Sequence, residues 1–315
     1  MYGVNSVVSF TRNHLSEQTV GNDISSHSEI KRGITESGIE YLCKQYGSKC
    51  NGFDMHQAET IMSHMAIFRS LASRMHIPLA PSFLIKCEQS NNEGKVILLE
   101  LQPYLGRDLK EVLADPDIPD TKARGYIDDY LTLFKIVKNN GSPIALDPVP
   151  ANFCITNEDM LVYVDMMPPR YQHKKKIVSE WPDPPVAAKN FIYNRYFGPV
   201  QARVVYAQLL FALVKRFYIT PEEIKVRIKE KLGEQSAALL TISERVKYRA
   251  LEDPFLFGPD VLRIIAAEGF YNGTYTLNQL IHVYTNTHIN AGGLLPSPDA
   301  LYEATKELKK PRPQL

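Results

Sequence analysis

One long helical period in the first hundred residues, with strand-like runs on both sides of it, most limits what this chain can become. Over 54–75 apolar residues recur at Met55, Ala58, Ile61, Met62, Met65, Phe68, Leu71 and Ala72, the three-and-four spacing of an amphipathic helix. Asp54 and, three positions on, Gln57 have the chemistry of a capping pair, each side chain able to serve the other's backbone N–H. Pro78 and Pro81 end the period. Upstream, the runs 28–34 and 39–46 flank the turn-like Thr35-Glu36-Ser37-Gly38, which predicts an antiparallel hairpin carrying Lys44 in its second strand. Downstream, 82–87 and 95–101 form a second strand pair about the polar turn 89–94.

After Gln102-Pro103-Tyr104-Leu105-Gly106 the pattern changes to helices. A short one is expected over 108–113 and a longer one over 121–138, where Ile127, Leu131, Phe134 and Ile136 face a core. Two short strands, 152–155 and 161–165, are joined by Thr156-Asn157-Glu158-Asp159, and helices follow over 200–217, 221–232, 236–248 and 259–267. The class is therefore α+β, with a β-rich N-terminal part over 1–101, its first 27 residues a polar arm or loop, and a larger helical part over 102–315.

Composition excludes some functions. Lys plus Arg number 36 against 35 for Asp plus Glu, so the molecule as a whole is no electrostatic glove for nucleic acid or an anionic membrane. Cys43, Cys50, Cys87 and Cys154 form no CxxC pair and have no closely spaced histidine partners, which suits free thiols in a reducing compartment. No basic segment leads into an apolar stretch at the N-terminus, and no window is long enough to span a bilayer, so the expected location is the cytoplasm. His27, His56, His64, His76 and His173 show no metal-ligand spacing.

The chemistry concentrates in Ala145-Leu146-Asp147-Pro148-Val149-Pro150-Ala151-Asn152 and in Asp165, at the end of Val162-Tyr163-Val164-Asp165. Asp147 and Asn152 stand at the D-x-x-x-x-N spacing of a kinase catalytic loop, and Asp165 follows Asn152 by an interval similar to that of the kinase metal-binding Asp. Taken as ordinary loop residues, Asp147 would cap a turn, Asn152 would satisfy backbone and Asp165 would end a strand. The two matched intervals on a helix, loop and hairpin resemble the protein kinase-like superfamily. Pro150 just before the Asn is similar to the aminoglycoside phosphotransferase and choline kinase group of small-molecule kinases.

That resemblance implies a bilobal fold, ATP or another nucleoside triphosphate with Mg2+ as cofactors, and a small-molecule acceptor. Asp147 would orient the acceptor hydroxyl, and Asn152 and Asp165 would ligate magnesium. Lys44, held by Glu59 of the long helix, would take the α- and β-phosphates. Leu98-Leu99-Glu100-Leu101-Gln102-Pro103-Tyr104 resembles the hinge whose backbone receives adenine, which brings in Glu100 and Gln102. A phosphate-covering loop would fall near 21–26, or around Gly33 and Gly38.

The departures matter. Ala145 and Leu146 stand where protein kinases have His and Arg, Met166 and Met167 where they have Phe and Gly, and no APE sequence follows. They point to phosphoryl transfer onto a small molecule, with a non-catalytic binding or scaffold protein, or a nucleotidyl transferase of the same fold, as alternatives. The basic run 168–176 reads as a solvated loop or as a contact for an anionic acceptor, and Trp181 among prolines as a packing residue or a cleft lining.

Overall fold

The computed structural model describes residues 28–34, 38–47, 52–88, 94–139, 143–167, 169–173, 176–178, 193, 195–198, 200–288 and 296–310. The segment 21–26, Trp181 and the lysines at 174 and 175 lie outside them. The chain divides into two compact units, one of residues 1–67 and 79–105, the other of 68–78 and 106–315.

In the first unit the strands β1 (Ser28–Ile34), β2 (Glu40–Tyr46), β3 (Phe53–Asp54), β4 (Phe83–Glu88) and β5 (Lys95–Pro103) make one antiparallel sheet. β5 is its centre, pairing with β2 from Leu98 to Pro103, with β4 from Val96 to Leu101 and with β3 at its start. Strands buried on both faces read as near-continuous apolar runs, and Val96-Ile97-Leu98-Leu99 is one. On one face Tyr41, Cys43, Leu99 and Leu101 pack with Ile85, Cys87 and Ile97. Alternation sends Lys44, Leu98, Glu100 and Gln102 to the other.

Helix α1 (Met55–Arg74) starts where the capping pair says it should. Gln57 N–H donates to Asp54 Oδ1 at 2.7 Å, and Asp54 N–H to Gln57 Oε1 at 3.0 Å. Ala58, Ile61, Met65, Phe68 and Ala72 form its buried stripe.

The second unit opens with β6 (Gly106–Asp108), α2 (Leu109–Ala114) and α3 (Asp120–Asn139). A 3-10 turn (Pro150–Asn152) leads into β7 (Phe153–Thr156) and β8 (Leu161–Tyr163), which with β6 form a three-stranded sheet ordered β6-β7-β8. A hairpin of β9 (Tyr171–His173) and β10 (Lys176–Val178) follows. The remainder is helical: α4 (Gln201–Ala212), α5 (Pro221–Leu232), α6 (Glu234–Ala238), α7 (Glu244–Glu252), α8 (Pro254–Phe257), α9 (Pro259–Tyr271), α10 (Leu277–Asn286) and α11 (Pro298–Lys309). α9 is buried nearly all round, as a helix at the middle of a helical core must be. Among the described residues no helix is long and apolar enough to cross a membrane.

The expected α+β class, a small antiparallel sheet followed by a larger helical part, is the one the chain adopts. Two helical expectations are corrected. The segment 236–248 is two helices, because Ser243 accepts the Val246 N–H and starts α7 afresh after α6. The helix begun near Val200 ends at Ala212, where Arg216 draws the following turn toward the loop after α2.

Candidate functional site

Asp147, Asn152 and Asp165 are gathered by the hairpin β7–β8 and the aromatic cluster under it. Tyr130 and Phe134 of α3 meet Phe153 of β7 and Tyr163 of β8, with ring centroids 4.9 Å apart for Tyr130–Phe153 and 5.1 Å for Phe153–Tyr163. All four rings are fully buried, a platform worth several kcal/mol by area alone. Both tyrosines spend their hydroxyls on the loop above: Tyr130 Oη donates to Pro148 O at 2.6 Å, and Tyr163 Oη accepts the Asp147 N–H at 3.2 Å. Burial, and then the nearby carboxylates, push both phenols well above their ordinary value, so both stay neutral.

The hairpin register places the other two residues. Phe153 lies opposite Tyr163, and one step outward the Val164 N–H donates to Asn152 O at 2.9 Å. Asp165 is the residue after Val164, so Asn152 and Asp165 sit at neighbouring ends of adjacent strands. The prolines at 148 and 150 stiffen the crossing from Asp147, and the 3-10 turn closes with the Asn152 N–H on Val149 O at 2.9 Å.

The Asp147 carboxylate is 14% exposed. Its Oδ2 lies 3.3 Å from Arg170 Nη2, and its Oδ1 is buried with no hydrogen-bond partner among the described residues. Arg170 was read from the sequence only as part of a basic run; nothing in its spacing marks it. Its side chain is buried, with the guanidinium 4.3 Å from the centroid of the Tyr196 ring. Next to Tyr196, Arg195 makes a buried ion pair with Asp260 at 2.6 Å. Cys154, on the same hairpin, is no nucleophile: burial and then Asp108 push its thiol up to about 11.

In the first unit the sheet places Lys44 opposite Glu100 in the β2–β5 register, both buried and on one face. Glu100 accepts from Tyr46 Oη at 2.8 Å and from Ser82 Oγ at 2.6 Å. The expected Lys44–Glu59 pair is corrected: Glu59 is more than half exposed and bonds Lys86 at 3.1 Å, because β4 brings Lys86 beside the first turns of α1. The carboxylate across from Lys44 is Glu100. β5 pairs with β2 through Pro103, and the Tyr104 N–H donates to Glu40 O on the same side, while the ladder with β4 ends at Leu101. Gln102, 2% exposed, has neither amide atom hydrogen-bonded among the described residues.

The donor chemistry suits a hard cation. Asn152 and Asp165 offer oxygens, as magnesium requires, and two protein ligands with water and phosphate completing the shell are its common habit. Among the described residues no group of three or more His, Cys, Asp or Glu side chains converges as a metal cage would.

No protein-family model matches the chain. No curated protein matches it in sequence. Among solved structures the chain is similar to a MAP kinase from Leishmania major, at 11% identity over 95% of this chain and 90% of that one, with a TM-score of 0.39.

Proposed function

We propose that this chain is a phosphotransferase of kinase-like type, moving the γ-phosphoryl group of ATP or another nucleoside triphosphate to a hydroxyl of a small molecule. The reading is supported by Asn152 and Asp165 at neighbouring ends of the β7–β8 hairpin and by Asp147 on the loop before it, one of whose oxygens faces Arg170 while the other has no donor among the described residues. A buried acceptor left unpaired costs about 1–3 kcal/mol. A substrate hydroxyl that donates to Oδ1 recovers that cost while being turned toward the phosphate. In this reading Asn152 and Asp165 would hold Mg2+, which when bound neutralises charge on the phosphates. The acceptor is a small molecule because Ala145, Leu146, Met166 and Met167 replace the residues that protein kinases carry there.

The test is thermal unfolding with and without ATP and Mg2+, followed by product analysis. A nucleotide at a hundred times its dissociation constant adds about 2.7 kcal/mol of stability. Asp165→Ala is expected to lose most of that shift, and Asp147→Ala to keep it while abolishing ADP formation. No shift with any nucleoside triphosphate would reject the reading. A shift without turnover would make the chain a binding protein, and pyrophosphate release would make it a nucleotidyl transferase.

A further inference from the structure

We infer that Arg170 is the positioning residue for Asp147, the group that decides which carboxylate oxygen is presented to the acceptor hydroxyl; the inference rests on the transfer reading above. An aspartate carboxylate turns about a soft, two-fold torsion, so its two oxygens exchange unless something distinguishes them. Here something does. Arg170 Nη2 stands 3.3 Å from Oδ2, while Oδ1 is buried with no donor among the described residues. The Asp147 N–H on Tyr163 Oη fixes the backbone end of the same residue.

Arg170 can hold a carboxylate still only if it is itself held, and the second unit holds it at three points. Its carbonyl accepts the Ala145 N–H at 2.9 Å, two residues before Asp147. The neighbouring strand continues that contact, with Ile144 bridged to Tyr171 and the Gln172 N–H on Pro143 O. The guanidinium lies over the Tyr196 ring at 4.3 Å. A planar, delocalised cation stacked on an aromatic face keeps its orientation in a way that a lysine ammonium on the same stem would not.

Behind Tyr196 the anchoring goes on. Arg195 pairs with Asp260 at the start of α9, and Arg263, 3.5 Å from the same carboxylate, donates through Nε to Thr287 Oγ1 at 2.9 Å. A connected set of buried contacts therefore runs from α9 and the end of α10 to the carboxylate of Asp147, ion pairs and hydrogen bonds at both ends and the Tyr196 ring between Arg195 and Arg170. The Arg195–Asp260 pair, shorter at 2.6 Å, carries the structural part. The looser Arg170–Asp147 contact is free to set the orientation.

The experiment measures ATP turnover and its KM on the full chain for the wild type, Arg170→Lys and Arg170→Ala, beside their melting temperatures. Turnover is expected to fall about 10–100-fold in Arg170→Lys, as a misplaced reacting group costs, with KM for ATP moving less than about threefold. Added guanidinium at low millimolar concentration should restore part of the turnover of Arg170→Ala. In an Asp147→Asn background, Arg170→Lys should cause no further loss of residual turnover. A folded Arg170→Lys with wild-type turnover would overturn the inference and leave the transfer reading standing. So would losses that add in the double variant, or a fall in turnover that only tracks melting, since both are the marks of a purely structural arginine. A wild-type chain that turns over no nucleotide fails the transfer reading itself, and the inference falls with it.

Discussion

Gly106 shows how much one residue can decide. It opens β6 opposite Thr156, at φ +148°, and a Cβ there would stand 2.1 Å from the carbonyl oxygen of Ile155. Gly106→Ala is therefore expected to destabilise the second unit by roughly 1–3 kcal/mol or more, seen as a lower midpoint in urea, since the backbone itself is in the way. From the sequence this glycine reads only as punctuation after Pro103-Tyr104-Leu105. Lys44 and Glu59 make the converse case. Their types, strand then helix, suggest a partnership, but the partner of Glu59 is Lys86, set by where β4 runs. The carboxylate facing Lys44 is set by β-register. Asp147 was legible by spacing, and its arginine was not, because Arg170 reaches it through a loop whose path no local pattern describes.

At the scale of elements, caps were more informative than periodicity. Asp54 and Gln57 start α1 as expected, and Thr220 with Pro221 starts α5, where Thr220 Oγ1 accepts the Glu223 N–H at 3.2 Å. The helix α10, which apolar spacing alone passes over, carries the same kind of mark, a reciprocal Thr276–Gln279 capping box. Between α3 and α5 runs a charged seam. Arg124 grips Glu223 with two bonds, at 2.7 and 3.1 Å, and Arg227 joins Glu223 to Asp128. The hydrogen bond from Arg124 is the chief cause of a Glu223 pKa held below its ordinary value. A carboxyl whose folded pKa is depressed stabilises at and above its unfolded pKa, and that contribution is lost as pH falls through the folded value. Glu223→Gln is accordingly expected to cost about 1 kcal/mol at pH 7 and close to nothing at pH 3, measured by denaturant unfolding at both.

Across the second unit as a whole, one side chain ties together segments far apart in sequence. Arg216, 4% exposed, donates to the carbonyls of Leu113 at 2.6 Å and Ile118 at 2.7 Å, to the Asp115 carbonyl, and to Asp120 Oδ1 at 2.9 Å. It thereby closes the turn between α2 and α3 from the far side of α4. Arg216→Met should keep the stem and lose every donor, lowering stability by about 2–4 kcal/mol in thermal or urea unfolding, because the buried Leu113 carbonyl and the half-buried Ile118 carbonyl lose the donor they have here. The sequence by itself determined the α+β class, the hairpin Ser28–Tyr46, the span of α1 and the spacing of Asp147, Asn152 and Asp165. Each of these follows from local backbone preference or from the length of one hairpin, which neighbouring residues contain in full. Tertiary structure alone decided that Glu100 faces Lys44, that Arg170 holds Asp147 and that Arg195, Asp260 and Arg263 stand behind it. Periodicity states which side of an element is buried. The neighbour it is buried against depends on register and on chain path, and these are settled only when distant segments pack.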